Sequence, residues 1–185
     1  MIKEIAKGVW KLNVDSNVYF LEKEKIVIDT GWPQYKSEVQ AELSKVADLK
    51  KVKKVIFTHL HYDHIGNFEL FPNASFYASK EEIEYFKENP TKAVLELSLV
   101  RKFSEVKLNV LDKLEGFDII KVPGHTSGCI ALFYKKEKIL FSGDTLFFNG
   151  MGRIDLPNSS PEEMDNSLKR LKKTKYKILA PGHDY

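Results

Sequence analysis

The residues that could do chemistry together are five histidines, three of them crowded into Thr58-His59-Leu60-His61-Tyr62-Asp63-His64. The other two each follow a glycine, in Pro123-Gly124-His125-Thr126 and Pro181-Gly182-His183-Asp184. In a chain of this composition His-x-His-x-Asp-His arises by chance about 2 times in 10,000, so the cluster is no accident of composition. Imidazole nitrogen and carboxylate oxygen suit zinc, and also iron or manganese. In an extended segment residues i, i+2 and i+4 share a side, so His59, His61 and Asp63 are expected to converge on one locus. His64 reaches a neighbouring position if the chain turns into a helix there.

Three histidines and an aspartate exceed what one tetrahedral catalytic ion can use while keeping a water. His125, His183 and one further carboxylate make a set large enough for two divalent cations, zinc first. Asp144 is the best candidate for that carboxylate, because Phe141-Ser142-Gly143-Asp144-Thr145 directly follows an apolar strand. Water between two cations loses a proton near neutral pH and can attack an acyl carbon while metal stabilises the oxyanion. Asp63 and Asp144 are the expected catalytic carboxylates. A thiolate, with a parent pKa of about 8.5, departs with little proton help. An amide nitrogen would need an acid that the sequence does not offer. A small thioester or ester is therefore the expected substrate.

The elements that must position these residues alternate between strand and helix. Short β-branched and aromatic runs occupy 9–12, 17–21 and 26–28, the last ending at Asp29-Thr30-Gly31. Pro33 opens a helix expected to run to about Asp48, with Val39, Leu43, Val46 and Ala47 at helical spacing. A buried strand over 55–58 leads straight into the histidine cluster. A strand over 75–78 and helices over 79–88 and 91–102 follow. Strands return at 117–122, 130–134 and 139–141, and a helix over 161–173 precedes a last strand over 177–180. Two sheets packed face to face with helices outside, in a single domain spanning 1–185, is the expected architecture.

Composition narrows the function classes. The 29 basic side chains are nearly all lysine, interleaved with 26 acidic ones for a net charge of +3. Mixed charge of this kind makes a solvated surface, so no nucleic-acid partner is expected. No run approaches the roughly 18 apolar residues of a membrane span, and the N-terminus lacks the apolar core of a secretion signal. The single cysteine, Cys129, excludes an intrachain disulfide. A soluble, cytoplasmic protein acting on a small molecule is expected, with its oligomeric state open.

With Asp29 in Ile28-Asp29-Thr30-Gly31 and His125, Asp144 and His183 following in order, the His59-x-His61-x-Asp63-His64 signature resembles the metallo-β-lactamase superfamily. Gly124-His125-Thr126-Ser127-Gly128, Gly143-Asp144-Thr145-Leu146-Phe147 and Gly152-Arg153-Ile154-Asp155-Leu156-Pro157 are most similar to its glyoxalase II-like hydrolases. The resemblance implies an αβ/βα sandwich with two metals at one edge. One ion would take His59, His61 and His125, the other Asp63, His64 and His183, with Asp144 bridging. Glyoxalase II enzymes carry a C-terminal helical region that supplies much of the glutathione contact. This sequence ends two residues after His183, which leaves glutathione recognition open. An aspartate in the bridging position sets the chain apart from true β-lactamases.

Several neighbours carry two readings. Asp29 either orients a ligand or forms a turn before Gly31; Arg153 either meets an anionic substrate or pairs with Asp155 to fix its loop. Tyr62 and Phe148 could line a cleft, Asp184 and Tyr185 could orient His183, and Cys129 reads as a small buried residue. An alternative function is an oxidoreductase similar to persulfide dioxygenases, with one iron on His59, His125 and Asp144. A third is a metal-binding module without catalysis.

Overall fold

In the computed structural model, which describes residues 1–185, four strands come first: β1 (Lys3–Ala6), β2 (Val9–Val14), β3 (Ser16–Leu21) and β4 (Ile26–Ile28). Then follow α1 (Lys36–Leu43), β5 (Lys54–Ile56), α2 (Tyr62–Ile65), β6 (Ser75–Ala78), α3 (Lys80–Glu88), α4 (Pro90–Val94), α5 (Leu97–Phe103) and β7 (Leu108–Val110). The rest comprises β8 (Phe117–Lys121), β9 (Ile130–Tyr134), β10 (Ile139–Gly143), α6 (Pro161–Lys173) and β11 (Ile178–Pro181). No helix is long and apolar enough to cross a membrane.

β1 to β7 form one sheet in chain order, antiparallel as far as β4 and parallel from there. The second sheet runs β11-β10-β9-β8, with only β10 and β11 parallel. Successive side chains of a strand point to opposite faces, and that period sorts the core into layers. Val18 and Phe20 of β3, Val27 of β4 and Val55 of β5 pack with Leu43, Ile83, Phe86 and Phe103 from the helices on the outer face. Their neighbours Tyr19, Leu21, Ile26, Ile28 and Ile56 face the other way and meet Ile130, Leu132, Ile139 and Phe141 of the second sheet. Ala131 and Leu140 turn outward again, onto Leu171 of α6. Helices, sheet, sheet and helix therefore stack in the four-layer αβ/βα sandwich expected.

Several boundaries depart from expectation. The helix after Pro33 begins as a 3-10 turn over Pro33–Tyr35 and ends at Leu43, short of Asp48. Val46 and Ala47 reach the core through a turn instead, their N–H groups donating to the Leu43 carbonyl at 3.0 and 2.9 Å. The helix expected over 91–102 breaks at Leu95, whose φ of 64° cannot continue a right-handed helix. β1 and β7 carry no strong apolar alternation because they are the two edges of their sheet, where one side is solvent.

Candidate metal centre

Every histidine sits just beyond the C-terminal end of a strand, on one edge of the sandwich. His59 to His64 follow β5, His125 follows β8, Asp144 follows β10 and His183 follows β11. The two sheets are tied at this edge: Tyr19 Oη donates to the Pro181 carbonyl at 2.7 Å, and Ile130 N–H to the Thr58 carbonyl at 3.0 Å. Gly143 puts its backbone at φ 52° against Thr58, where a Cβ would come within 2.8 Å of the threonine Cβ. That close approach delivers Asp144 into the centre.

The side chains form three groups of potential ligands: His59, His61 and His125; His59, His64 and Asp144; and Asp63, His64 and His183. Asp144 lies between the first and the last. Its Oδ2 is 3.5 Å from His125 Nε2 and 3.4 Å from His183 Nε2, while Oδ1 is 3.3 Å from His64 Nε2. Asp63 Oδ2 stands 3.2 Å from His183 Nε2. The convergence of His59, His61 and Asp63 on one point, expected from extended spacing, does not occur. The chain turns helical at Tyr62, with His61 at the N-cap of α2, so Asp63 is carried round to His64 and His183.

Hydrogen bonds on the far side of each ring decide which nitrogen faces the centre. His125 Nδ1 lies 2.8 Å from the Arg153 carbonyl and His183 Nδ1 lies 3.1 Å from the Asp15 carbonyl. A carbonyl only accepts, so both rings carry a proton on Nδ1, and in the neutral tautomer Nε2 is a lone pair. His64 Nδ1 faces Asp29 Oδ2 at 2.9 Å. Thr58 spends its hydroxyl proton on the same Asp29 oxygen at 2.8 Å, which leaves its oxygen to accept from His59 Nδ1 at 3.2 Å. Four rings thus present Nε2 inward. His61 differs, with Nδ1 2.9 Å from His125 Nε2.

Several polar atoms of the cluster make no hydrogen bond. His59 Nε2, His61 Nε2, His64 Nε2 and Asp144 Oδ1 are buried with no hydrogen bond. Buried polar atoms are costly to leave unsatisfied, and four in one cluster of imidazole and carboxylate match a cation's donor set. The electrostatics divide the cluster. Burial, then the neighbouring imidazoles, hold His59 well below the ordinary histidine range; burial and His125 bring His61 down to about 3. Burial also lowers His125 against the pull of Asp144. These are the neutral rings that metal ligation requires. Burial opposes charge on His64 too, but Asp144, Asp63 and Asp29 outweigh it and raise the ring well above its usual value. His183, likewise opposed by burial, is lifted to about 9 by Asp144 and Asp63.

A family model described as the metallo-beta-lactamase superfamily matches residues 13–183. The chain belongs to the metallo-beta-lactamase superfamily. It is 30% identical, over 95% of its length and 92% of the relative's, to a "Probable metallo-hydrolase" of Methanocaldococcus jannaschii. It is 34% identical to a hydroxyacylglutathione hydrolase of Prochlorococcus marinus over 83% of this chain, spanning 58% of that enzyme. Among solved structures, TTHA1623 in a di-iron-bound form superposes with a TM-score of 0.72 at 25% identity, covering 95% of this chain and 91% of that one.

In this superfamily member all seven expected residues lie at the one cluster. Asp29 does orient a ligand candidate, from a left-handed backbone with φ 54°. Arg153 and Asp155 form an exposed two-pronged ion pair at 2.9 and 3.0 Å. Tyr62 lines the cleft and meets Trp32 edge-on at 5.8 Å; Phe147, rather than the expected Phe148, is the neighbouring aromatic in the wall. Tyr185 stacks on His183 with ring centroids 5.1 Å apart, whereas Asp184 turns to Lys11 and Asn17. The sequence reading missed Thr58 and Asp15. Thr58 could have been found from its place beside His59. Asp15 acts through its carbonyl, which any residue carries, so no side-chain signal exists.

Proposed function

We propose that this chain is a hydrolase that holds two divalent cations and cleaves a small thioester or ester. The observation that carries the reading is the place of Asp144, with one carboxylate oxygen facing His125 and His183 and the other facing His64. His59, His61 and His125 would hold one cation, Asp63, His64 and His183 the other, with Asp144 between them. Zinc, iron and manganese all suit this donor set. Bound there, the cations supply an acidified water and a Lewis acid for the substrate oxygen.

The chain's own residues do the rest. Asp63 and Asp144 line a cleft of about 330 Å³, small for a ligand pocket and fitted to a small molecule. Asp63, the more exposed of the two, is opposed by burial but kept ionised by His64 and His183, and would orient the attacking water. Tyr62, Leu95, Phe147 and Met151 wall the cleft and limit water around the acyl group. A thiolate leaving group needs little proton help from these walls, which favours a thioester. The reading with a single iron on His59, His125 and Asp144 leaves the convergence of Asp63, His64 and His183 without a purpose.

The test is elemental analysis together with a panel of acyl thioesters and aryl esters. Two ions per chain and turnover abolished by chelation and by Asp144→Ala are expected. One iron per chain with oxygen consumed in the presence of a persulfide would overturn the proposal in favour of oxidation. Full activity of Asp144→Ala would overturn it outright.

A further inference from the structure

α3 opens with Ser79-Lys80-Glu81-Glu82, the spacing of a capping box. In that motif the serine side chain accepts from the backbone of the fourth residue, whose carboxylate folds back onto the serine N–H. The first half is in place, with Ser79 Oγ accepting from Glu82 N–H at 3.1 Å. The carboxylate is diverted. It points inward, leaving Glu82 only 1% exposed, on a helix whose other buried residues are Ile83 and Phe86. There Oε2 accepts from Leu60 N–H at 3.0 Å and Oε1 accepts from the Thr126 hydroxyl. Ser79 adds a parallel tie, its hydroxyl donating to the Gly128 carbonyl at 2.6 Å.

Leu60 is the residue between His59 and His61, and Thr126 follows His125. One carboxylate therefore spans two loops that come from different sheets, beside the Ile130 N–H bond to the Thr58 carbonyl at 3.0 Å. An ionised side chain buried away from water is retained only where its acceptors are filled, and helix packing alone would favour an apolar residue here. The Asp63, His64 and His183 group has other supports, Asp29 and the Asp15 carbonyl, and Glu82 bonds to none of them.

We propose that Glu82 is a positioning residue that sets the spacing of His59 and His61 against His125, and so the affinity of one of the two ion sites. This inference rests on the dinuclear reading above. Replacing Glu82 by glutamine turns one of two acceptor oxygens into a donor, facing groups that are themselves donors. Replacing Thr126 by valine removes the second arm, together with the hydroxyl's 3.1 Å contact to Cys129 Sγ, and leaves the Leu60 arm in place.

The experiment is a zinc titration followed by calorimetry on the wild type, Glu82→Gln, Thr126→Val and Leu43→Ala. The last is a core truncation remote from the site that controls for lost stability. Cobalt absorption spectra on the same proteins report ligand geometry. One of the two binding steps is expected to weaken roughly 10–100-fold in Glu82→Gln and less in Thr126→Val, as for other groups that hold ligands in place. The other step stays within about twofold. Two unchanged steps in both variants overturn the role of Glu82 alone. So does an equal loss at both steps that tracks melting temperature, as in Leu43→Ala. A wild type that takes up fewer than two ions overturns the dinuclear reading and this inference with it.

Discussion

Asp29 Oδ2 is shared between the His64 ring, 2.9 Å away at Nδ1, and the Thr58 hydroxyl at 2.8 Å, whose oxygen reaches His59 Nδ1. A single carboxylate thereby orients one ring from each of the two groups of ligands. Its other oxygen accepts from Thr58 N–H at 2.8 Å, so both oxygens face donors. Asp29→Asn must turn its NH2 toward one of those donors. We expect roughly a 10–100-fold loss in kcat and in ion affinity, the usual effect of removing a ligand's support. KM should stay nearly constant, because Asp29 is buried and stands outside the cleft wall. Steady-state kinetics check this; a raised KM with kcat intact would count against it.

Gly182 offers a steric test of the same centre. Its backbone lies outside the left-handed region, so alanine meets no dihedral penalty. A Cβ there would overlap Asp144 Oδ1 and come within 3.0 Å of His64 Cε1. Asp144 is buried and cannot swing away into solvent. Gly182→Ala is therefore expected to lose bound metal and turnover while keeping its far-ultraviolet circular dichroism spectrum. Metal content per folded molecule is the deciding measurement.

The ligand candidates were legible in the sequence because histidine is scarce and each one stood in a motif, three in His-x-His-x-Asp-His and two directly after a glycine. The layers were legible for a similar reason: Val18-Tyr19-Phe20-Leu21 and Ile139-Leu140-Phe141 are apolar throughout, as strands buried on both faces must be. What escaped was information carried by the backbone or by long-range contact. Asp15 holds His183 through a carbonyl, and nothing near Leu95 announces a left-handed residue. Glu82 lay in a local pattern that reads as a helix cap, and only the tertiary fold redirects it to Leu60 and Thr126. Extended spacing alone groups Asp63 with His59 and His61, which fails because helix α2 starts one residue before it; the family resemblance groups it with His64 and His183, as the structure does.

Phe103 tests whether stability and the metal centre separate. It is fully buried on the outer face of the larger sheet and meets Phe57, Phe68 and Phe86 edge-on at 5.6, 5.3 and 5.4 Å. Phe103→Ala removes that hub and leaves a cavity, at a cost of about 3–5 kcal/mol. For a chain of this size that lowers the melting temperature on the order of 10 °C. Ion stoichiometry of the folded protein should stay as in the wild type, since no ligand candidate packs on the ring. Denaturant unfolding and metal analysis on one sample would decide both parts.

Glu82 predicts a pH dependence of stability with a definite sign. Burial pushes its carboxyl up to about 6, against the pull of the Thr126 hydroxyl and the Leu60 and Gly128 backbones. An unfolded glutamate titrates near 4.3. The folded state therefore holds the proton more tightly, so the group favours folding most at low pH. That contribution is lost as pH rises from about 4 through 6, and by pH 7 the fold carries an ionised carboxylate at a cost of about 2 kcal/mol. Glu82→Gln cannot titrate. Measured with chelator present, the unfolding free energy of the variant relative to wild type should rise by about 2 kcal/mol between pH 4 and 7. A difference that stays flat across that window would mean that Glu82 ionises as if in water. The buried, bonded carboxylate that joins the His59–His61 loop to His125 would then be wrong.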